Sequence, residues 1–146
     1  MDERSNDLTV FHGLQRTGGR YRSGIEDEAF CYITTTGRRT GNPHRVEIWF
    51  AQEPGTRTIY VLAGARDRAD FVRNAMSEPQ VTVRIGNREG DATARVVEAG
   101  TDEDALARRL VVAKYAQPGS DELTGWGVNA LPVAFDLGPW AGAPGA

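Results

Sequence analysis

Residues 32–50, YITTTGRRTGNPHRVEIWF, constrain the fold of this chain more than any other stretch. A β-branched run from Tyr32 to Thr36 stops at Gly37, a basic turn follows, and a second alternating run starts after Pro43. That pattern predicts a β-hairpin with a charged tip. Gly37 and Gly41 can adopt the positive φ that tight turns require, and Arg38 and Arg39 set two guanidinium groups beside whatever donors the turn exposes. Such a tip can grip a phosphate or carboxylate, or it can be a solvated turn. Sixteen of the 17 basic residues are Arg, so arginine alone does not decide between the two. In the returning strand Val46, Ile48 and Phe50 fall on one face and Arg45, Glu47 and Trp49 on the other. The Trp49 ring therefore borders a pocket or lies exposed.

The remaining segments read as more short strands. Phe30 to Thr36, Arg45 to Gln52 and, after the Glu53-Pro54-Gly55 turn, Thr58 to Ala63 predict an antiparallel meander. Gln80 to Ile85 and Ala92 to Glu98 predict a second hairpin, with turn residues at Gly86-Asn87 and Glu89-Gly90-Asp91. Leu131 to Leu137 is the last strand. A helix of about ten residues is expected before Pro79, with Asp67 as N-cap and Ala69, Val72 and Met76 on one face. A second starts at Thr101 or Asp102, where Thr101-x-x-Asp104 resembles a capping box, and packs through Leu106, Leu110 and Ala113. Gln117-Pro118-Gly119 ends it, and Trp126 falls in a loop. About six hairpin-linked strands with inserted helices and no βαβ alternation make this a mainly β (α+β) chain, a closed or half-closed antiparallel barrel.

At 146 residues the chain is long enough for one domain, burying roughly 70% of its unfolded surface. It divides into an N-terminal arm or short helix (1–28), the barrel (29–138) and a flexible tail (139–146). The formal charge of −3 and pI near 5.4 argue against broad binding to nucleic acid or an anionic membrane. Between Arg38 and Arg95, however, ten arginines face seven acidic residues, which suits a small anionic ligand better than a polymer. No segment approaches the apolar length of a signal peptide or membrane span, so a cytoplasmic protein without stable membrane insertion is expected.

The chemistry-bearing residues are few. Cys31 is the single cysteine and reads as a buried, inert thiol; with only His12 and His44 beside it there is no metal-ligand spacing. Neither histidine has an evident nucleophile partner, so no catalytic side chain is assigned, and any reaction would be carried by an organic cofactor. Arg66 and Arg68 sit at the positive end of the first helix dipole, which is unfavourable unless an anion lies between them or Asp67 and Asp70 neutralise them. Asn74 and Phe71 would add an amide and a ring on the neighbouring face.

The order of motifs, TTTGRRTGNPHRVEIWF, then YVLAGARDRADFVRNAMSEPQVTVRIG, ATARVV and LPVAFDL, resembles the deazaflavin-dependent nitroreductase and quinone reductase family. That family is a branch of the flavin/deazaflavin oxidoreductases with the split β-barrel fold, and the likeness covers about residues 30–137. It implies binding of the deazaflavin coenzyme F420 and hydride transfer from its reduced form to a small organic acceptor: a quinone, enone or nitro compound. By motif, Arg38, Arg39 and Thr40 would hold the phosphate and acidic tail of the coenzyme. His44, Arg45, Val46, Glu47, Ile48 and Trp49 would run along its ribityl chain and ring. Leu62, Ala63, Gly64 and Ala65 would meet it through backbone groups, and Asp70, Phe71 and Asn74 would complete the site, with Arg66 and Arg68 at the helix start. Tyr115 and Trp126 would face the acceptor. Two other readings stay open: the same barrel holding FMN, and a non-catalytic cofactor binder. A homodimer formed through a sheet face is compatible with the sequence.

Overall fold

A computed structural model describes residues 25–116 and 122–139. Most of the arm expected at 1–28, the Gln117-Pro118-Gly119 stop and nearly all of the tail lie outside them. One antiparallel sheet of seven strands forms the body: β1 (Cys31–Thr36), β2 (Pro43–Ile48), β3 (Ala51–Gln52), β4 (Thr58–Ala63), β5 (Gln80–Ile85), β6 (Arg88–Val96) and β7 (Leu131–Leu137). Their lateral order is β2-β1-β5-β6-β7-β4-β3. β2 and β3 occupy opposite margins of the sheet, yet only Trp49 and Phe50 separate them in sequence. The sheet must therefore curl until its margins meet at that link, which makes it a split barrel.

Both antiparallel pairings of the expected meander form, but its middle strand is broken in two. The run from Arg45 to Gln52 is two strands, because Phe50 turns into the core, where it is fully buried, and the chain crosses to the other margin. β4 consequently pairs with β3 and β7, far from β1. The second hairpin forms as expected around Gly86, whose φ is +63°. Its β6 starts at Arg88, so Glu89-Gly90-Asp91 is strand rather than turn. Thr58–Ala63 and Leu131–Leu137 match their predicted spans.

Strand alternation places Ile33, Ile59, Val61, Val81, Val83, Val133 and Phe135 inside the barrel. Burial of each such side chain is worth about 1.5 to 3 kcal/mol. The outer face of β4 and β7 carries Tyr60, Leu62 and Ala134, covered by α2 (Asp102–Tyr115). Thr101 caps α2 by accepting the Asp104 N–H, while Asp104 accepts the Gly100 N–H, a displaced form of the expected box. α2 buries Ala107 and Val111, with Leu106 and Leu110 half-buried; Ala113 is exposed, a rotation of the predicted stripe.

The helix expected near residue 67 is a single 3-10 turn, Arg66–Arg68, followed by α1 (Asp70–Ser77). Asp67 does not cap α1; Ala69 stands at that position without a side-chain cap. Val72 is buried, but Met76 is 60% exposed, and the buried face is Phe71, Val72, Asn74 and Ala75. Trp126 lies not in a loop but in a third helix, α3 (Glu122–Asn129).

A polar network ties the outer layer together. Arg95 donates to Glu103 at 2.7 and 2.8 Å and to Asp136 at 2.7 and 3.2 Å, while the Tyr60 hydroxyl donates to Glu103 and the Thr58 hydroxyl to Asp136. Hydrogen bonds from Arg95 hold both carboxyl groups below their ordinary values of 4.5 and 3.8. Groups with lowered folded-state pKa stabilise the fold above the unfolded values, and the contribution is lost as pH falls through the folded ones. Glu103→Gln is therefore expected to flatten the fall in urea midpoint below pH 4.5. An acid limb as steep as the wild type's would place the responsible carboxylates elsewhere.

Candidate cofactor site

The hairpin between β1 and β2 is closed by its own backbone. Gly37 N–H donates to the Asn42 carbonyl at 2.7 Å, Gly41 N–H donates to that of Gly37, and the Thr40 hydroxyl accepts the Asn42 N–H. Gly41 has φ +80°, as the turn requires. A side chain at Gly37 would come within 2.9 Å of the His44 ring, so glycine there lets the imidazole lie over the backbone.

The tip is braced against α1 by one buried amide. Asn74, 2% exposed, accepts from the Arg38 N–H at 3.1 Å and from its guanidinium at 2.8 Å, and donates to the Thr35 hydroxyl at 3.1 Å. Arg38 also pairs with Asp70 at 3.2 Å. Arg38 is thereby fixed across the hairpin–helix junction, while Arg39 and Thr40 stay exposed beside it. Thr35 is a buried polar residue that the sequence reading overlooked; a hydroxyl at an inward-facing strand position was the available signal.

At the other end of β2, Trp49 stacks on Tyr115 with ring centroids 4.2 Å apart and planes 2° from parallel, and it meets Trp126 edge-on at 5.7 Å. Trp126 also lies against Gly64, where an added Cβ would touch its ring at 3.7 Å. Segment 64–74 therefore runs from the Trp49 end of β2 to the Arg38 end, and the strip between the two is the candidate cleft. Val46 and Ile48 of β2 and Ala69 of that segment are half-buried and packed on the core. Over His44 to Trp49 the strip spans about 17 Å at strand rise.

Several expected residues do not join this cleft. Arg45 lies over the Tyr32 ring at 4.4 Å and Glu47 stands opposite Tyr32, both on the outward face of the sheet. Phe71 packs into the barrel core, and the Leu62 side chain lies under α2. Ala63 is buried in the barrel, so Leu62 and Ala63 can offer only backbone; Gly64 and Ala65 are exposed. Arg66 has φ +56°, unusual for a residue with a Cβ, and donates to the Asn129 carbonyl at 2.6 Å, at the negative end of α3. It serves α3 rather than the Arg38 tip. Arg68 is exposed. The Tyr115 hydroxyl is engaged by the Phe50 backbone and the Ala29 carbonyl.

Cys31 is fully buried, and burial pushes its thiol up to about 12, as expected of an inert cysteine. Among the described residues no group of His, Cys, Asp and Glu has metal-binding geometry, and no helix is long and apolar enough to cross a membrane. An apolar hollow of about 300 Å³ opens on the far side of α1, between Val72, Met76, Pro79, Val96 and Val133. Among its described lining residues the one charge, Arg95, is committed to Glu103 and Asp136.

Guanidinium groups and a hydroxyl at the hairpin tip, indole rings at the far end and apolar side chains between are the chemistry that a ligand anionic at one end and flat at the other would call for. Solved structures with the same fold include an F420-H2 dependent reductase (FDR-A; 24% identity, 75% of this chain and 94% of that one, TM-score 0.58). Another is an F420 reductase (17% identity, 83% and 95%, TM-score 0.58). The heme storage protein HutZ from Vibrio cholerae shares it too (16% identity, 86% and 91%, TM-score 0.63), so the fold by itself does not select the ligand. The sequence does: residues 9–134 match the F420H(2)-dependent quinone reductase family. A match over that much of its length places the chain in that family, and it is an F420-dependent oxidoreductase.

Proposed function

We propose that this enzyme reduces a small, flat organic acceptor, a quinone, enone or nitro compound, in the cleft between β2 and segment 64–74. The observation that carries the reading is the Asn74 brace, which aims Arg38 across the junction of hairpin and α1. Arg38, Arg39 and Thr40 would take the phosphate and acidic tail of F420, and Trp49 and Trp126 would border its ring. Reduced F420 supplies the hydride when bound. The chain's own contribution is to orient both reactants and exclude water, which lowers the barrier through near-attack placement rather than side-chain acid or base. With the Tyr115 hydroxyl engaged by backbone, the proton that completes acceptor reduction comes from solvent. As in the sequence reading, the enzyme is placed in the cytoplasm and is free to pair as a homodimer.

Titration with F420 and separately with FMN, followed by tryptophan fluorescence, tests this. Saturable quenching by F420 at micromolar concentration, and much weaker quenching by FMN, is the expected result. Tighter binding of FMN would assign the cleft to a flavin, and F420 binding without oxidation of the reduced coenzyme across quinones, enones and nitroarenes would make the protein a carrier.

A further inference from the structure

Two consecutive residues at the end of α2 hold the β2–β3 link from three sides. Lys114 Nζ lies 3.7 Å from the centroid of the Phe50 ring and 5.3 Å from that of Tyr115, and donates to the Glu28 carbonyl at 2.8 Å. The Tyr115 hydroxyl accepts the Phe50 N–H at 3.1 Å and lies 2.9 and 2.8 Å from the carbonyls of Phe50 and Ala29, to which it can donate. Phe50 is thus gripped at its ring, its N–H and its C=O. Its neighbour Trp49 is the residue whose ring stacks on Tyr115.

We propose that Lys114 is a positioning residue for the ring end of the cleft: its cation–π grip on Phe50 fixes the β2–β3 link and so keeps Trp49 stacked on Tyr115 beside Trp126 and Gly64. The inference rests on the reading that a flat ring docks there. Packing alone would not call for this residue, since a methionine would fill similar space without desolvating an amine. The hydrogen-bond partner of the amine is a carbonyl, and the buried Cys31 thiol beside it is neutral at physiological pH. Burial accordingly pushes Lys114 down to about 7, opposed by the acidic groups of Asp27, Glu26 and Glu28. The charge over Phe50 is therefore present below that pH and lost above it. A neutral amine keeps its hydrogen bond to Glu28 but not the attraction to the ring.

Near-ultraviolet circular dichroism of the cofactor-free protein, between about pH 5.5 and about pH 8.5, reports the aromatic packing to which the Trp49–Tyr115 stack contributes. The wild type is expected to lose aromatic signal through a midpoint near 7. Lys114→Arg, which stays charged, should hold the low-pH signal throughout, and Lys114→Met should show the high-pH signal throughout. Lys114→Met should also bind F420 about threefold to tenfold more weakly, with Lys114→Arg restoring affinity. A wild-type signal flat with pH, or the same midpoint in Lys114→Arg, which retains both histidines, would overturn the proposal. If Lys114→Met fails to fold, the comparison of wild type with Lys114→Arg still decides. Absence of F420 binding in the wild type would remove the proposed function and leave the dichroism result standing by itself.

Discussion

Asn74→Leu is expected to lose about 2 to 4 kcal/mol of folding stability and, with it, most of the affinity for F420. The amide makes three hydrogen bonds, to the Arg38 N–H, to the Arg38 guanidinium and to Thr35. Removing it strands donors and an acceptor in a space where Asn74 itself is 2% exposed. The hairpin tip would then no longer be fixed on α1, and Arg38 would lose its aim. Asn74→Asp separates the two effects: it keeps an acceptor for Arg38 but offers Thr35 no amide donor and adds a buried charge beside Asp70. Its urea midpoint should fall between those of the wild type and Asn74→Leu. A midpoint for Asn74→Leu equal to that of the wild type would show that the hairpin stands without the brace.

Replacing Arg38 and Arg39 together with Ala should weaken F420 binding by about 2 to 4 kcal/mol, roughly 30- to 1,000-fold, and more at low salt than at high. Stability should change little. Arg39 is exposed, and Asp70, the ionic partner of Arg38, is 80% exposed, so that pair contributes little to the fold. The Arg38 backbone N–H still satisfies Asn74 in the double variant. Binding titrations at two salt concentrations, paired with urea denaturation, give both readouts. Unchanged affinity would put the anionic end of the coenzyme elsewhere, and Arg66, now directed at Asn129, would be the next residue to replace.

The sequence was most legible where alternation and turn chemistry agreed, as at Thr58–Ala63, Gln80–Ile85 and Leu131–Leu137. It misled where alternation ran on without a turn residue. Nothing in VEIWFAQ signals that the chain changes sheet margins at Trp49-Phe50, because the side chains keep alternating through the crossing. The expected pairing of β4 with this run survives only through Ala51 and Gln52, and its longer pairing with β7 went unread. The basic tip could be read as a candidate anion grip, but its brace could not: Asn74 was placed beside the site, while its partner Thr35 lies 39 residues away and was hidden in a run of three threonines. Arg66 and Arg68 were judged from the helix dipole alone, which cannot reveal that the carboxyl end of α3 takes Arg66. Lys114 offered one signal that was passed over, as the single lysine in a chain that otherwise uses arginine.

Among the described residues β2 pairs with β1 alone, so its other margin carries main-chain amides and carbonyls that no described strand takes up. Groups of that kind cannot be deleted by changing a codon. With the coenzyme along that margin as proposed, drift along Val46 and Ile48 would alter which acceptor fits while leaving the peptide contribution to its retention intact. Such a scaffold can diversify its oxidants without having to rediscover its reductant.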